Sequence, residues 1–205
     1  MKFSIIIPVY NRGHLVASTI ESVLNQDFSD YELIVVNDGS SDNTLQVLHN
    51  YNNSIRIIDQ ENQGAEIAKN SGVEKAIGDY LVFLDSDDVL FPSALSLYYQ
   101  IIEIENQPAL VFAKGTGFNV KKGAPCFSFK KNICSYSTYK DFFSKREPVW
   151  LSTSFLVLKH SLWNNSTKFK KGTFPADDLD FLLRIGTLGP CVIIKEPATV
   201  AYRYH

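Results

Sequence analysis

Short strand-like runs, alternating with helical patterns, constrain the fold more than any other feature of this sequence. The runs in the first half are Phe3–Ile7, Glu32–Val36, Ile55–Ile58 and Tyr80–Leu84. Between the first two, apolar residues recur at helical spacing, from Val16 to Leu24. This alternation predicts an α/β fold, with a mainly parallel central sheet and helices on both faces.

The same reasoning places the remaining elements. Helices are expected at Leu45–Tyr51, Gly64–Ala76, Pro92–Glu105 and Asp177–Leu188, and strands at Leu110–Ala113, Trp150–Leu158, Cys191–Ile194 and Thr199–Tyr204. Residues 114–147 show weak periodicity and are expected to form loops. A length of 205 residues is that of one domain, so we predict a single domain over 1–205.

Polar segments follow three of the predicted strands. They are Pro8–Asn11, Asn37–Asp42 and Asp85–Asp88. Ligands of such sheets bind outside the carboxyl ends of the strands. We therefore expect these three segments to meet at one edge of the sheet and to form a binding site there.

Each acidic segment has two readings. Asp85, Asp87 and Asp88 are either ligands for a hard divalent cation or a solvated turn in which Asp88 or Ser93 caps the next helix. Asp38 either shapes a turn or accepts a hydrogen bond from a nucleobase. Asp177 and Asp178 either complement a helix dipole or include a general base.

Charge is unevenly distributed along the chain. Residues 1–113 carry 5 Lys/Arg and 16 Asp/Glu, whereas residues 114–171 carry 12 and 2. The net charge of −2 does not favour a dedicated nucleic-acid-binding protein, so no nucleic-acid partner is expected. The basic segment 114–171 is either a solvated lysine-rich surface or a site for an anionic partner.

Five motifs in order resemble a family 2 glycosyltransferase. They are Ile6–Arg12, Val35–Asp42, Asn62–Gly64 with Ala68–Asn70, Tyr80–Asp88 and Asp177–Phe181. The resemblance implies the GT-A fold, a Rossmann-like nucleotide-diphospho-sugar transferase fold. It also implies a donor-binding half over 1–113 and an acceptor-side half over 114–205.

The resemblance implies inverting transfer of a sugar from a nucleotide-diphosphate donor, with UDP expected, to a hydroxyl of a glycan or lipid-linked glycan in surface polysaccharide assembly. The residues expected to bind the donor are Pro8, Val9, Tyr10, Asp38, Lys69, Asp85 and Ser86. Lys69 stands where the family usually has Arg. Asp178 is the expected base, in preference to Asp177.

The implied cofactor is a divalent metal, Mn²⁺ or Mg²⁺. Its expected ligand is Asp87, and His205 matches the end of a Tyr-Arg-x-His segment that gives some relatives a second ligand. From the residues alone, a lone terminal His such as His205 is a frayed end.

Location and alternative functions complete the expectations. With no signal peptide or membrane span visible, we expect a cytoplasmic protein, peripheral at the inner membrane face if segment 114–171 binds anionic lipid. The alternatives are a nucleotide-sugar-binding module without transferase activity and a sugar nucleotidyltransferase. The second predicts a Gly-rich basic loop after the first strand, which Pro8–His14 lacks.

Overall fold

The first half of the chain folds as alternating strands and helices, as predicted. A computed structural model describes residues 1–119, 134–146, 148–149 and 152–204. Its first strands are β1 (Phe3–Val9), β2 (Tyr31–Asp38), β3 (Arg56–Gln60) and β4 (Tyr80–Phe83). The helices between and after them are α1 (Val16–Leu24), α2 (Thr44–His49), α3 (Ala65–Val73) and α4 (Ala94–Ile104).

After β4 the chain contains more strands than the sequence predicts. All the strands after β4 are β5 (Val89–Leu90), β6 (Leu110–Phe112), β7 (Gly115–Asn119), β8 (Ser135–Tyr139), β9 (Leu156–Lys159), β10 (Cys191–Glu196) and β11 (Val200–Tyr204), with helix α5 at Asp177–Ile185. Strands β7 and β8 lie in the segment expected to form loops. Their sequences are rich in Gly, Ser and Thr, so they lack an apolar signature.

The strand expected over Trp150–Leu158 begins later than predicted. Trp150 lies outside the described residues. Thr153–Phe155 forms a turn of 3₁₀ helix, in which the Ser152 hydroxyl accepts a hydrogen bond from the Ser154 N–H group (3.2 Å). This cap delays the extended conformation to Leu156.

The described strands form a mainly parallel central sheet in the order β3-β2-β1-β4-β9-β6-β10-β8. Strands β3, β2, β1 and β4 are parallel to one another, with Ile6 paired to Ile34 on one side and to Phe83 on the other. Strand β9 is antiparallel to both β4 and β6. The carboxyl ends of β1, β2 and β4 therefore share one edge, and the predicted fold class is confirmed.

Successive residues of a strand point to opposite faces of the sheet, and every residue of β1 is buried. Both faces of the sheet are therefore covered. Ile5 and Ile7 belong to the cluster that packs with α1 and α4, whereas Ile6 belongs to the cluster that includes residues of α5. Gly72 lets α3 approach β1 closely, since a Cβ atom there would lie 2.5 Å from Cγ2 of Ile6.

A small second sheet lies beside the acidic segment. Its described strands run in the order β5-β11-β7, with β11 antiparallel to β5 and parallel to β7. Strand β5 directly follows the Asp85–Asp88 segment, so β11 brings Tyr202 and Arg203 to that segment from the far end of the chain. In the described part of the chain, no helix has the length and apolar character needed to cross a membrane.

Candidate active site

The three polar strand-end segments meet in one open cleft of about 1170 Å³, a volume that includes its mouth. The lining residues are Pro8, Val9, Tyr10, Arg12, Asp38, Ala65, Lys69, Asp85, Ser86, Asp87, Phe174, Pro175, Asp177, Asp178 and Tyr202. Every site residue expected from the sequence is among them, with one exception. His205 lies outside the described residues.

Asn11 fixes the first strand-end segment to the second. Its backbone has a φ of 51°, in the left-handed region that Asn tolerates better than most residues. Its Oδ1 atom accepts hydrogen bonds from the N–H groups of Ser41 (2.8 Å) and Asp42 (3.3 Å), and its own N–H group donates to the Ser40 hydroxyl (3.0 Å). These hydrogen bonds join the two loops on this side of the cleft.

Asp38 organises the approach to α3. It is buried, and its carboxylate accepts hydrogen bonds from the Gln60 side chain (2.7 Å) and from the N–H groups of Gln63 (3.0 Å) and Gly64 (2.8 Å). Asp38 thus shapes the turn before α3, whereas within Asp38–Asp42 it is Asp42 that accepts a hydrogen bond from the Thr44 N–H group at the start of α2 (2.9 Å). A carboxylate has about four acceptor positions, so these three bonds leave room for a ligand donor as well.

The acidic segment after β4 is partly buried rather than solvated. Asp88 is fully buried and accepts a hydrogen bond from the Arg203 N–H group (3.1 Å). Burial, reinforced by the neighbouring Asp85 carboxylate, raises the pKa of Asp88 to about 8. Asp88 lies too far before α4 to cap it, and the Ser93 hydroxyl, at the cap position, donates instead to Asp27 (2.8 Å).

Asp85 faces the centre of the cleft and is surrounded by charge. Its N–H group donates to the Ser154 hydroxyl (3.0 Å). Burial raises its pKa, and although the Lys69 ammonium opposes this, the carboxylates of Asp178 and Asp87 add to the increase. The Asp178 carboxylate is thus close enough to Asp85 to raise the pKa of the Asp85 carboxyl.

Lys69 is the cation at the centre of these carboxylates. Its Nζ atom donates to the Thr153 hydroxyl (2.8 Å) and lies 3.4 Å from Oδ2 of Asp177 and 3.6 Å from Oδ1 of Asp178. Burial would lower the pKa of Lys69, but Asp85, Asp178 and Asp177 together outweigh it and raise that pKa. The ammonium expected to contact the donor is therefore already paired with the acidic residues at the start of α5.

The two acidic residues at the start of α5 differ in access to the cleft. The side chain of Asp177 is 11% exposed, whereas that of Asp178 is 28% exposed. Oδ1 of Asp178 accepts no hydrogen bond from any described residue. Two positions further along, Asp180 forms the expected ion pair with Arg184 (2.6 Å). Oδ1 of Asp178 is buried beside the Lys69 ammonium, so Asp178 is the more exposed member of the pair through the rest of its side chain.

Several cleft residues were missed by sequence reasoning. Arg12 lies 3.8 Å from Oδ2 of Asp87 through its Nε atom, and its place at the end of the first motif could have identified it. Phe174 comes from an irregular segment and Tyr202 from the middle of β11, where no local pattern marks them, and only the folded chain brings them to the cleft. Thr153, outside the cleft lining, binds the Lys69 ammonium from a turn of 3₁₀ helix.

The residues at the end of β4 fit a metal that is also held by a ligand. Among the residues that the structure describes, no three His, Cys, Asp or Glu side chains are arranged as a metal site. Such a cluster is not required, because Mg²⁺ is often held by one or two carboxylates together with substrate phosphates. Asp87 would supply hard oxygen ligands there, and its side chain, which is 16% exposed, lines the cleft.

Comparisons with known proteins agree with this geometry. The family model described as Glycosyl transferase family 2 matches residues 4–163. Chondroitin synthase of Escherichia coli is 32% identical over 190 residues, which cover 91% of this chain and 27% of that protein. Poly(ribitol-phosphate) beta-glucosyltransferase of Bacillus spizizenii is 37% identical over 138 residues, covering 64% of this chain and 22% of that protein. The chain thus spans about a quarter of the length of these relatives.

A solved structure shares the fold over the whole chain. The structure of S. aureus TarS 1-349 in complex with UDP-GlcNAc superposes with a TM-score of 0.81, at 23% sequence identity. The match covers 100% of this chain and 59% of that one. It shows that the arrangement of strands and helices described above is that of TarS.

Proposed function

Because the chain belongs to glycosyl transferase family 2, we propose that it transfers a sugar from a nucleotide-diphosphate donor to an acceptor hydroxyl, with inversion at the sugar carbon. The observation that carries this proposal is the meeting of Asp38, Asp87 and Asp178 in one cleft at the carboxyl edge of the sheet. These three carboxylates suit three different parts of the reaction: the nucleobase, the diphosphate and the acceptor.

The donor is proposed to lie along the cleft from β2 to β4. Pro8, Val9 and Tyr10 would contact the nucleoside, and the remaining acceptor position of Asp38 would meet a nucleobase N–H group. Asp85 and Ser86 would contact the ribose or the sugar. We propose UDP as the nucleotide, supported by the shared fold of the TarS complex with UDP-GlcNAc.

The diphosphate is proposed to lie against Asp87 and Arg12. Asp87 would hold a divalent cation, Mn²⁺ or Mg²⁺, which offsets the charge that grows on the leaving diphosphate. The Arg12 guanidinium, 3.8 Å from Asp87, would face the same phosphate oxygens. An Arg presents several N–H donors in a plane, which suits phosphate recognition.

Asp178 is proposed as the general base. Its carboxylate, on a side chain that is 28% exposed, takes the proton of the acceptor hydroxyl while that oxygen forms a bond to the anomeric carbon. The bond from that carbon to the diphosphate oxygen breaks on the opposite side, so the configuration inverts. Lys69, 3.6 Å from Oδ1, holds the carboxylate in place. The walls of the cleft orient both substrates and exclude water, which would hydrolyse the donor.

The acceptor is proposed to be a glycan or lipid-linked glycan of a surface polymer. The names of the relatives support this class, since they include a chondroitin synthase and a poly(ribitol-phosphate) glucosyltransferase. We place the acceptor on the side of residues 114–205, opposite the donor-binding half 1–113. The excess of Lys and Arg over 114–171 supports attraction to an anionic acceptor or an anionic membrane surface.

The proposal is tested by transfer from UDP-sugars to polysaccharide fragments, with Asp178→Asn as the variant. We expect Asp178→Asn to lower kcat by about 10²- to 10⁴-fold, since a positioned base contributes that much. Its affinity for UDP should stay unchanged. Asp180→Asn is the matched control on the same helix, because Asp180 pairs with Arg184 outside the cleft lining.

Two results would contradict the assignment. Wild-type protein that binds UDP-sugar but transfers nothing to any acceptor would favour the binding-module alternative. Full activity of Asp178→Asn would remove Asp178 as the base, and Asp177 would be the next candidate.

A further inference from the structure

Phe174 is the most exposed large apolar side chain of the described residues, at 76%, and it lies in the cleft lining. Exposure alone carries little meaning, because single apolar residues are common on protein surfaces. Its backbone, however, is anchored: the Phe174 N–H group donates to Oε1 of Glu66 (3.2 Å), and Glu66 is buried. The fold thus holds an uncovered aromatic ring at a fixed point of the cleft.

Helix α3 shows where along the cleft that point lies. Gly64, just before the helix, donates to Asp38; Glu66 anchors Phe174; and Lys69 pairs with Asp178. The Glu66 carboxylate also lies beside Gly64, since a Cβ atom on Gly64 would be 2.9 Å from Oε2 of Glu66. The backbone of Phe174 is therefore anchored near the residue that donates to Asp38.

A second exposed ring reaches the same end of the cleft. Tyr10 follows β1, the neighbour of β2, whose last residue is Asp38, and Tyr10 is 48% exposed. The cleft thus combines two aromatic rings with a carboxylate that has an acceptor position left. This combination suits a flat heterocycle with an N–H donor in its plane, because every nucleobase can stack on an aromatic side chain.

We propose that Phe174 stacks on one face of the donor's nucleobase, with Tyr10 on the other face and Asp38 at its edge. This aromatic clamp rests on the proposed function, which supplies the nucleotide. It assigns to the segment before α5 a role in donor binding, in addition to the role of Asp178 in the transfer step. Phe174 then contributes to the affinity for the nucleobase and contributes nothing to diphosphate recognition.

The test measures binding of UDP by calorimetry in the presence of Mn²⁺ for wild type, Phe174→Ala and Phe174→Tyr. Loss of one stacking ring should weaken UDP binding roughly tenfold in Phe174→Ala. Phe174→Tyr keeps a ring and should stay within about twofold of wild type. Pyrophosphate, measured by displacement of UDP, lacks the base and should bind equally well to all three proteins.

Ile104→Ala is the matched control, because Ile104 is similarly exposed, at 69%, and ends α4 away from the cleft lining. It should bind UDP as wild type does. Unchanged UDP affinity in Phe174→Ala, with or without a raised KM for the acceptor, would overturn the clamp. Equal losses for UDP and pyrophosphate would also overturn it, as the cleft itself would have changed. Wild-type protein that binds no nucleotide would instead contradict the proposed function on which the clamp rests.

Discussion

At the residue scale, the buried Lys69 decides how so many carboxylates can share one cleft. Like charges close together repel, and burial makes each of them more costly. Lys69 lies within 3.6 Å of both Asp177 and Asp178 and interacts with Asp85. We infer that its first role is to hold the acidic residues in place, while a role in contacting the donor remains a proposal.

Replacement of Lys69 by Met should destabilise the protein. The substitution leaves buried carboxylates without their cation, and breaking a buried ion pair costs about 3–5 kcal/mol. Urea unfolding measures this loss. Lys168→Met is the control, because Lys168 pairs with Glu74 in an exposed ion pair that is worth about 0–1 kcal/mol. If the two variants were equally stable, Lys69 would not be the charge partner described here.

A second arm tests the pairing itself. In an Asp177→Asn background the cost of Lys69→Met should be smaller, because one of the unpaired charges is already gone. Additive losses would show that Lys69 and Asp177 do not interact. Lys69→Arg keeps the positive charge and should retain most of the stability.

At the element scale, the segment between β4 and β5 is held from the opposite end of the chain. Strand β11 pairs with β5, the Arg203 N–H group donates to Asp88, and Nε of Arg203 donates to the carbonyl oxygen of Asp87 (2.8 Å). The segment proposed to bind the metal is therefore positioned by the last described strand. The buried Asp88 side chain takes part in this positioning through its hydrogen bond with the Arg203 N–H group.

Asp88 should make stability fall as pH rises from about 4 to 8. The folded protein holds the Asp88 proton up to a pKa of about 8, whereas the unfolded chain releases it near 3.8. The native state therefore binds the extra proton in this window, and stability declines by roughly 1.4 kcal/mol per pH unit. Urea unfolding at pH 5 and pH 7, with chelator present, measures the decline, which Asp88→Asn should make smaller; the raised pKa of Asp85 contributes a decline of the same sign.

Asp42→Asn provides the control of opposite sign. Hydrogen bonds from Thr44 and Gly13 lower the pKa of Asp42, although its slight burial opposes them. Its contribution to stability is present above about 4 and is lost only at lower pH, so the slope between pH 5 and pH 7 should not change. An unchanged slope in Asp88→Asn would contradict the account of the buried acid.

At the scale of the whole molecule, the sheet was predictable from the sequence and the second half of the cleft was not. Runs such as Ile5–Ile7 are apolar throughout because both faces of the sheet are covered. The convergence of Pro8, Asp38 and Asp87 follows from strand direction alone. Phe174 and Thr153 lie in irregular segments, whose positions depend on long-range contacts with Glu66 and Lys69.

Motif resemblance identified site residues that periodicity did not mark, but it did not predict the contacts that those residues make. It identified Asp178, which lines the cleft with a partly exposed side chain. It assigned Lys69 to the donor, although the ammonium is paired with Asp177 and Asp178. A pattern that names residue types at fixed spacing does not show which partners those side chains meet after folding.

The central claim is that this cleft binds a nucleotide diphosphate through Asp87 and a divalent cation. Thermal unfolding with UDP, in Mn²⁺ or in chelator, tests it most directly. At about 100 times its dissociation constant, a ligand stabilises a protein by roughly 2.7 kcal/mol, which is a shift of several degrees for a chain of this size. The account predicts such a shift in Mn²⁺ and its loss in chelator and in Asp87→Ala. No shift with UDP or any other nucleotide diphosphate, or an equal shift in Asp87→Ala, would contradict it.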